Sequence, residues 1–221
     1  MHKMIALEAA AALIPDGASL LIGGFMGIGT PHRLVGELVR QGRRNLTIIA
    51  NDTARPGLGI GRLIDAGAVA RLVTSHIGTN PLTQQQVLAG AIALELCPQG
   101  TLAERIRAAG SGLGGVLTPT GLGTTVAQGK RTLEIDGTAW LLDLPLSADF
   151  ALVAAHRADY RCNLDYAMTA RNFNPVMAMA GRTVIAEAAE IVPVGVIPPD
   201  AVITPGALVD HLVRRDAGHG S

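Results

Sequence analysis

Apolar positions along the chain fall into short aliphatic runs separated by longer periodic segments. The short runs are rich in branched side chains and are bounded by glycine, proline or polar residues, which predicts β-strands. These runs lie at 20–22, 46–50, 72–74, 92–97, 150–154 and 183–186. Between the first five runs, apolar residues recur at helical spacing, which predicts helices over 34–39, 58–66, 83–89 and 102–108.

This alternation of strands and helices predicts an α/β fold with a mainly parallel sheet and flanking helices. Ligands of such sheets bind outside the carboxyl ends of the strands. One segment departs from the pattern, because residues 132–135 and 138–142 alternate around an Asp136-Gly137 pair. That pair is typical of a two-residue hairpin turn, so we expect a small antiparallel flap. Residues 1–213 are interpreted as a single domain and 214–221 as a flexible tail.

Composition narrows the classes of partner. Of the 221 residues, 18 are Lys or Arg and 18 are Asp or Glu. This balance argues against nucleic acid or an anionic membrane as a partner. No apolar run approaches the roughly 20 residues that span a bilayer, and the N-terminus does not resemble a signal sequence, so we expect a cytoplasmic protein.

Neither cysteines nor histidines suggest a metal or disulfide site. Cys97 and Cys162 are far apart and form no CxxC pair, which favours buried free thiols. The six histidines form no HxxxH or HExxH pair. We therefore expect no metal.

The first predicted strand is followed by a glycine-rich loop, GGFMGIGTP, over residues 23–31. The spacing of its four glycines fits neither a P-loop nor a Rossmann fingerprint, and the loop contains no lysine. Glycines allow a backbone to approach a ligand closely, and amides at the start of the next helix can hold an anion. The loop is therefore either a site for an anionic or acyl ligand or simply a tight turn.

Other predicted loops carry amides and hydroxyls but no obvious nucleophile. They include residues 51–53, 75–81, 98–101 and 110–115. Such groups can orient an acyl compound and stabilise an oxyanion. Ser111 lacks the GxSxG context because position 109 is Ala. Glu104 is interpreted as part of a solvated or ion-paired helix face and His76 as a hydrogen-bonded loop residue. The chain therefore resembles half of an active site.

Residues 16–31 carry an acidic-Gly pair, apolar residues, Gly-Gly-Phe, and then the spaced glycine and proline. This order resembles the alpha-subunit signature of the family I coenzyme A transferases, most closely in the acetate or butyrate–acetoacetate branch. The similarity extends over nearly the whole chain. It continues through residues 49–53, 75–81, 98–102, 112–115, 118–121, 171–175 and 204–206.

The resemblance implies the CoA-transferase fold and a role for several residues. In this family the catalytic glutamate belongs to the beta subunit, which implies a partner chain, an α2β2 assembly, and coenzyme A or acyl-CoA as substrate rather than a permanently bound cofactor. Gln99 matches a glutamine that supports the oxyanion, and Asn51 matches an asparagine near the substrate carboxylate. The residues that match the coenzyme A-contacting loop are Gly23, Gly24, Phe25, Met26, Gly27, Ile28 and Gly29.

Four alternatives stay open on the residues alone. Gln99 can instead brace its own glycine turn, and Asn51 can instead form an Asx-turn. The whole chain can instead be a stand-alone sugar-phosphate isomerase, although Lys3 and Lys130, its only lysines, are distant in sequence from the glycine loop. It can also be a ligand-sensing module, although no helix-turn-helix segment or basic patch supports that. One position also departs from close relatives, because Cys162 stands where the family usually has glycine; if that turn needs a positive φ, the cysteine strains it.

Overall fold

All six apolar runs form strands of one large sheet in the computed structural model, which describes residues 3–215. Two further strands join this sheet, for a total of eight. Their bounds are β1 Ser19–Ile22, β2 Leu46–Asp52, β3 Val69–His76, β4 Ala93–Leu96, β8 Ala148–Asp159, β9 Leu164–Asp165, β10 Gly181–Val192 and β11 His211–Arg214.

The sheet is parallel except where the short β9 pairs with the end of β8. Its strand order is β11-β10-β8-β1-β2-β3-β4, which confirms the predicted α/β class. Successive strand residues point to opposite faces. Leu20 and Ile22 pack in one apolar cluster and Leu21 in another, so this strand is buried on both faces. Burial on both faces explains why the parallel strands read as continuous apolar runs.

Six helices cover the two faces of the sheet. Helices α1, α2 and α3 pack with Leu20 and Ile48, whereas α5 and α6 pack with Leu21 and Ile49 on the other face. Their bounds, with α4, are α1 Leu7–Ala12, α2 His32–Arg40, α3 Gly61–Asp65, α4 Pro81–Leu88, α5 Gln99–Gly110 and α6 Asn174–Ala180. The four predicted helices are α2, α3, α4 and α5.

The strand order reverses direction next to β1. The chain first lays down β1, β2, β3 and β4 outward in one direction, and then adds β8, β10 and β11 on the other side of β1. Between β1 and β8 lies a topological switch point, where loops from neighbouring strands diverge and leave a crevice. The glycine-rich loop follows β1 and therefore borders this crevice.

The flap forms as predicted. A second sheet of three antiparallel strands has the order β5-β7-β6, with β5 Val116–Thr118, β6 Arg131–Ile135 and β7 Thr138–Asp143. Asp136 and Gly137 form the turn with φ values of 50° and 71°. Positive φ at both central residues is the geometry that an Asp-Gly pair favours in a two-residue hairpin.

Several predicted boundaries are wrong, including those of β8 and β10, which extend over 148–159 and 181–192. The helix expected over 58–66 begins only at Gly61, because Gly57 and Gly59 before it adopt positive φ values of 77° and 52°. The chain also keeps regular structure beyond 213, since Arg214 ends β11 and the Arg215 amide donates to Ala188. The rest of the predicted tail, 216–221, lies outside the described residues. Among residues 3–215, no helix combines the length and apolar character needed to cross a membrane.

Candidate active site

The glycine-rich loop forms a miniature hairpin. The amides and carbonyls of Phe25 and Ile28 exchange two hydrogen bonds of 3.0 and 2.9 Å. Between them, Met26 and Gly27 adopt φ values of 51° and 87°. This is the same kind of turn as the one in the flap, and it places Phe25 and Ile28 side by side with exposed side chains.

The loop glycines are required by contacts within the protein. A Cβ atom on Gly23 would lie 1.9 Å from Oδ1 of Asn174, and a Cβ on Gly29 would lie 2.4 Å from the carbonyl oxygen of Ala170. A Cβ on Gly24 would lie 2.1 Å from the hydroxyl of Thr30. These distances are far below van der Waals contact, so the close approach that the glycines permit is an approach to this chain's own side chains and backbone.

Most amides of the loop also bond internally. The Gly24 amide donates to Oδ1 of Asn172 at 3.1 Å, and the Met26 amide donates to Oδ2 of Asp52 at 2.9 Å. The amides of Gly23, Phe25, Ile28 and Thr30 donate to backbone carbonyls. The sequence-based expectation that these amides would hold an anionic or acyl ligand is therefore wrong for six of them.

The start of α2 is occupied in the same way. The Glu187 side chain, which is fully buried, accepts hydrogen bonds from the amides of Arg33 and Leu34, both at 3.0 Å. Its other oxygen accepts from Nε of Arg215 at 3.1 Å. A helix start attracts an anion because its first amides lack partners and carry partial positive charge. Here that anion is a carboxylate of the chain itself, so the expectation of a ligand at this helix start is wrong.

Two of the predicted site residues lie in one polar network. Gln99, the first residue of α5, donates from Nε2 to Oδ1 of Asn51 at 2.6 Å. Nδ2 of Asn51 donates in turn to Oδ2 of Asp52 at 2.7 Å, and the same oxygen accepts from the Met26 amide. The structure thus connects the glycine-rich loop, the end of β2 and the start of α5, although these lie up to 73 residues apart in the numbering from 26 to 99.

Two cavities flank the loop. One, of about 380 Å³, is lined by Phe25, Gln99, Arg107, Arg171 and apolar side chains that include Phe173. It combines a polarising amide, two guanidinium groups and an apolar wall. Such a surface suits an elongated ligand with anionic and apolar parts.

The second cavity, of about 400 Å³, lies on the β8 side of the loop, at the topological switch point. Its walls are mainly alanine and loop backbone, with Thr30, His32, His156 and Arg215 as polar members. Nε2 of His32 lies 2.9 Å from the Gly27 carbonyl oxygen, which can only accept, so the proton of the neutral ring is on Nε2. Burial lowers the pKa of His32 from 6.5.

Among the described residues, no nucleophile lines the cavity that contains Gln99. The cavity on the β8 side has only the hydroxyl of Thr30 and the rings of His32 and His156. The residues that line the cavity beside Gln99 include no Ser, Thr, Cys, Lys, Asp or Glu, and Cys97 and Cys162 are buried elsewhere. Burial raises the pKa of both thiols, which keeps them protonated and unreactive. Within residues 3–215, no three His, Cys, Asp or Glu side chains are grouped to hold a metal ion.

Sequence reasoning assigned no role to four residues that shape the site. Asp52, Asn172 and Asn174 form the contacts that fix the loop, and Glu187 caps α2. The first three lie in motifs that carry the family resemblance, so a signal for them was present. Glu187 lies in an apolar strand between Ala186 and Ala188, and a charged residue in such a run was the available signal.

The fold and the site together define a ligand-binding α/β protein whose cavities lie at the carboxyl edge of a parallel sheet. The sequence matches the Coenzyme A transferase family over residues 3–215. It is 51% identical over 211 residues to acetate CoA-transferase subunit alpha of Escherichia coli, with 96% of each chain covered. The chain therefore belongs to the coenzyme A transferase family, and it is similar to the alpha subunits of that family.

Two further comparisons agree. The acetoacetyl-CoA:acetate/butyrate CoA transferase alpha subunit of Clostridium acetobutylicum is 47% identical over 215 residues, which cover 97% of this chain and 99% of that one. The solved structure of an acyl-CoA transferase apoenzyme from Escherichia coli superposes with a TM-score of 0.84 at 25% identity. That match covers 96% of this chain but 46% of the solved one, so the chain corresponds to about half of that longer polypeptide.

Proposed function

We propose that this chain is the alpha subunit of a short-chain acyl-CoA:carboxylate CoA-transferase that uses acetate, acetoacetate or butyrate and acts with a beta subunit in an α2β2 assembly. The observation that carries the proposal is the cavity beside Gln99. It holds groups that bind and polarise an acyl compound but contains no nucleophile. A second chain that supplies a carboxylate would complete it.

The chemistry proceeds through the partner's glutamate. Its carboxylate attacks the thioester carbonyl of the acyl-CoA, the carbon–sulfur bond breaks, and an acyl-glutamyl anhydride and the coenzyme A thiolate form. The thiolate attacks the glutamyl carbonyl of the anhydride and releases the first carboxylate, which leaves a glutamyl-CoA thioester. An incoming carboxylate reverses these steps. Each attack creates a negative oxygen, which one N–H of Gln99 would stabilise.

In this proposal, the loop over residues 23–29 contacts coenzyme A through exposed side chains and not through its backbone amides. Its amides are bonded internally, while Phe25 and Ile28 expose their side chains at the tip. We assign these side chains to the apolar thioester arm. Arg107 and Arg171, which line the same cavity as Phe25, complement the negative charges of the coenzyme or of the acid.

The lysines argue against a sugar-phosphate isomerase. The Lys3 ammonium donates to the carbonyl oxygens of Gly206 and Val209, and the Lys130 ammonium pairs with Asp143 at 2.6 Å. Neither residue lines the cavities beside the glycine-rich loop. An isomerase of this fold class would need a lysine and a carboxylate base there, and the cavity that contains Gln99 offers neither.

Co-expression tests the proposal. The chain is produced alone and together with the beta subunit from the neighbouring reading frame, and transfer of coenzyme A from acetyl-CoA to acetoacetate or butyrate is measured. We expect turnover by the pair and none by the isolated chain. Robust turnover by the isolated chain would refute the shared site. Failure of the pair with every short acid would refute the transferase activity.

A further inference from the structure

The orientation of the Gln99 carboxamide decides whether it can stabilise an oxyanion. Its two ends have nearly the same size, but only the NH₂ end donates hydrogen bonds. Among residues 3–215, the Gln99 side chain makes one hydrogen bond, from Nε2 to Oδ1 of Asn51 at 2.6 Å. That bond uses one N–H and leaves the other on the same nitrogen. A turn of the carboxamide by 180° would replace this donor with a carbonyl oxygen.

Asn51 fixes the orientation of Gln99 only because Asn51 is itself fixed. This side chain is 2% exposed and belongs to β2. Its Nδ2 donates to Oδ2 of Asp52 at 2.7 Å, and its Oδ1 accepts from Gln99 at 2.6 Å. The Ser75 hydroxyl, 3.1 Å from Oδ1, donates to the backbone carbonyl of Asn51 at 2.7 Å. In the reverse orientation, its carbonyl oxygen would lie against the carboxylate and its NH₂ group would face the NH₂ group of Gln99. Both contacts would be repulsive.

The side chains of Asp52, Asn51 and Gln99 form a series of hydrogen bonds, and Asp52 is its first member. Its carboxylate accepts from three donors, namely the Met26 amide at 2.9 Å, the Ala54 amide at 2.7 Å and the side chain of Asn51. An ionised carboxylate only accepts, so a neighbouring amide must turn its nitrogen toward it. Asp52 is 4% exposed, and water therefore competes little for these contacts.

We propose that Asp52 is a positioning residue. Through Asn51, it determines which way the carboxamide of Gln99 is turned. The acceptor-only carboxylate turns Asn51, the oxygen of Asn51 turns Gln99, and the free N–H of Gln99 then faces the cavity. The same carboxylate holds the Met26 amide and so ties the glycine-rich loop to this series. The catalytic consequence rests on the proposed transferase function, whereas the orientation itself does not.

Kinetics of the chain with its beta subunit test the consequence. Asp52→Asn keeps the shape of the side chain, but its carboxamide can present either its oxygen or its NH₂ group to Asn51. In part of the molecules, Gln99 then turns its carbonyl oxygen to where its NH₂ group lies in the wild type. Loss of one oxyanion donor costs about 100- to 1,000-fold in kcat. We expect that loss for Gln99→Ala and a smaller loss of about 10- to 100-fold for Asp52→Asn. The KM for acyl-CoA should stay within about twofold in both, because the interaction is made in the transition state.

The double variant separates positioning from a general structural effect. If Asp52 acts through Gln99, Asp52→Asn in the Gln99→Ala background lowers kcat no further. Losses that multiply would overturn the proposal, as would a kcat of Asp52→Asn equal to that of wild type. Asp200→Asn is the matched control and should leave kcat unchanged, because Asp200 lies exposed in a short 3₁₀ helix and its side chain makes no hydrogen bond to described residues.

An NMR measurement tests the orientation without activity. In the ¹⁵N-labelled chain bound to unlabelled beta subunit, the side-chain signal of Gln99 is assigned by its loss in Gln99→Ala. We expect its two protons to be well separated in wild type, because one is bonded to Asn51, and to converge in Asp52→Asn. If Asp52→Asn does not fold, Asp52→Ser serves instead. An unchanged signal in the folded variant overturns the proposal. Convergence in a pair that transfers no coenzyme A would refute the transferase function alone.

Discussion

Cys162 lies in the turn between β8 and β9 and has a φ of 66°, a backbone conformation that residues other than glycine rarely adopt. The turn is held by Asp159, whose Oδ1 accepts from the amides of Arg161 and Asn163 at 2.8 and 2.9 Å. The suspicion that this turn needs a positive φ is thereby confirmed. A non-glycine residue there costs about 1 kcal/mol or more, which the surrounding contacts must offset.

Two substitutions at this position isolate the backbone cost. Cys162→Gly and Cys162→Ala both remove the buried thiol, but only glycine adopts the positive φ freely. We expect the glycine variant to have a free energy of unfolding about 1 kcal/mol above that of the alanine variant, measured by urea denaturation. Equal stabilities of the two variants would show that the turn relaxes around the side chain.

His32 makes stability depend on pH. Burial lowers its pKa in the folded chain below the ordinary value of 6.5, so the unfolded chain binds a proton more readily. Its contribution is complete above about pH 6.5 and is lost as the pH falls below that value. We expect His32→Gln, whose amide can still donate to Gly27, to flatten the fall in unfolding free energy between pH 7.5 and 5.5.

The control for this measurement is His76→Gln, a substitution at an exposed histidine. It should leave the slope of stability against pH close to that of wild type. A slope for His32→Gln that matches wild type would contradict the assignment to His32.

For individual residues, the sequence predicted which ones belong to the site better than it predicted their contacts. Gln99 and Asn51 were singled out and they do meet. The glycines at 23 and 24 were also singled out, but as residues that approach a ligand. A glycine signals a close approach without naming the approaching group. For Gly23 that group is Asn174, more than 150 positions later in the chain.

Among the elements, α2 is stabilised at its start by a residue from a distant strand. Glu187 of β10 replaces the local Ser, Thr, Asp or Asn cap that helices usually have. Glu187→Gln removes the charge, keeps the size, and turns one end of the side chain into a donor facing other donors. We expect the free energy of unfolding to fall by about 1–3 kcal/mol, measured by urea denaturation.

Glu190→Gln is the control for that substitution, because Glu190 lies three residues further along the same strand with an exposed side chain. Its free energy of unfolding should change by less than about 0.5 kcal/mol. If the free energy of unfolding falls equally little in both variants, the carboxylate of Glu187 does not stabilise the start of α2.

The elements that were predicted carry local signals, and those that were missed do not. The hairpin at Asp136-Gly137 is specified by two residues, and the core strands by continuous apolar runs. By contrast, β11 buries only Leu212 and Val213, and it pairs with β10 on one side and with Met4 on the other, so its existence depends on its neighbours. Helix α1 has six residues and no side-chain cap, and α6 has seven. Elements this short depend on tertiary packing.

For the molecule as a whole, the exposed tip of the glycine-rich loop marks the side that a partner should cover. Phe25 and Ile28 are 46% and 54% exposed there. Burying the exposed half of a phenylalanine contributes about 1 kcal/mol. We therefore expect Phe25→Ser to raise the Kd for the beta subunit about five- to tenfold, measured by calorimetry.

Leu88→Ser provides the comparison, because Leu88 is 88% exposed on α4 and away from both cavities. It should bind the beta subunit with the affinity of wild type. Equal affinities for all three proteins would place the partner on another face of the chain.

The contact between the glycine-rich loop and Asn172 and Asn174 also has a consequence for how the protein is made. Strands β1 to β4 and their helices come from the first half of the chain and can pair as they leave the ribosome. The loop cannot take its final shape until residues 172–174 have been synthesised and have reached it. Contacts so far apart in sequence form late because a long chain segment must first be ordered. We therefore expect the nascent chain to acquire most of its sheet before it acquires a binding site.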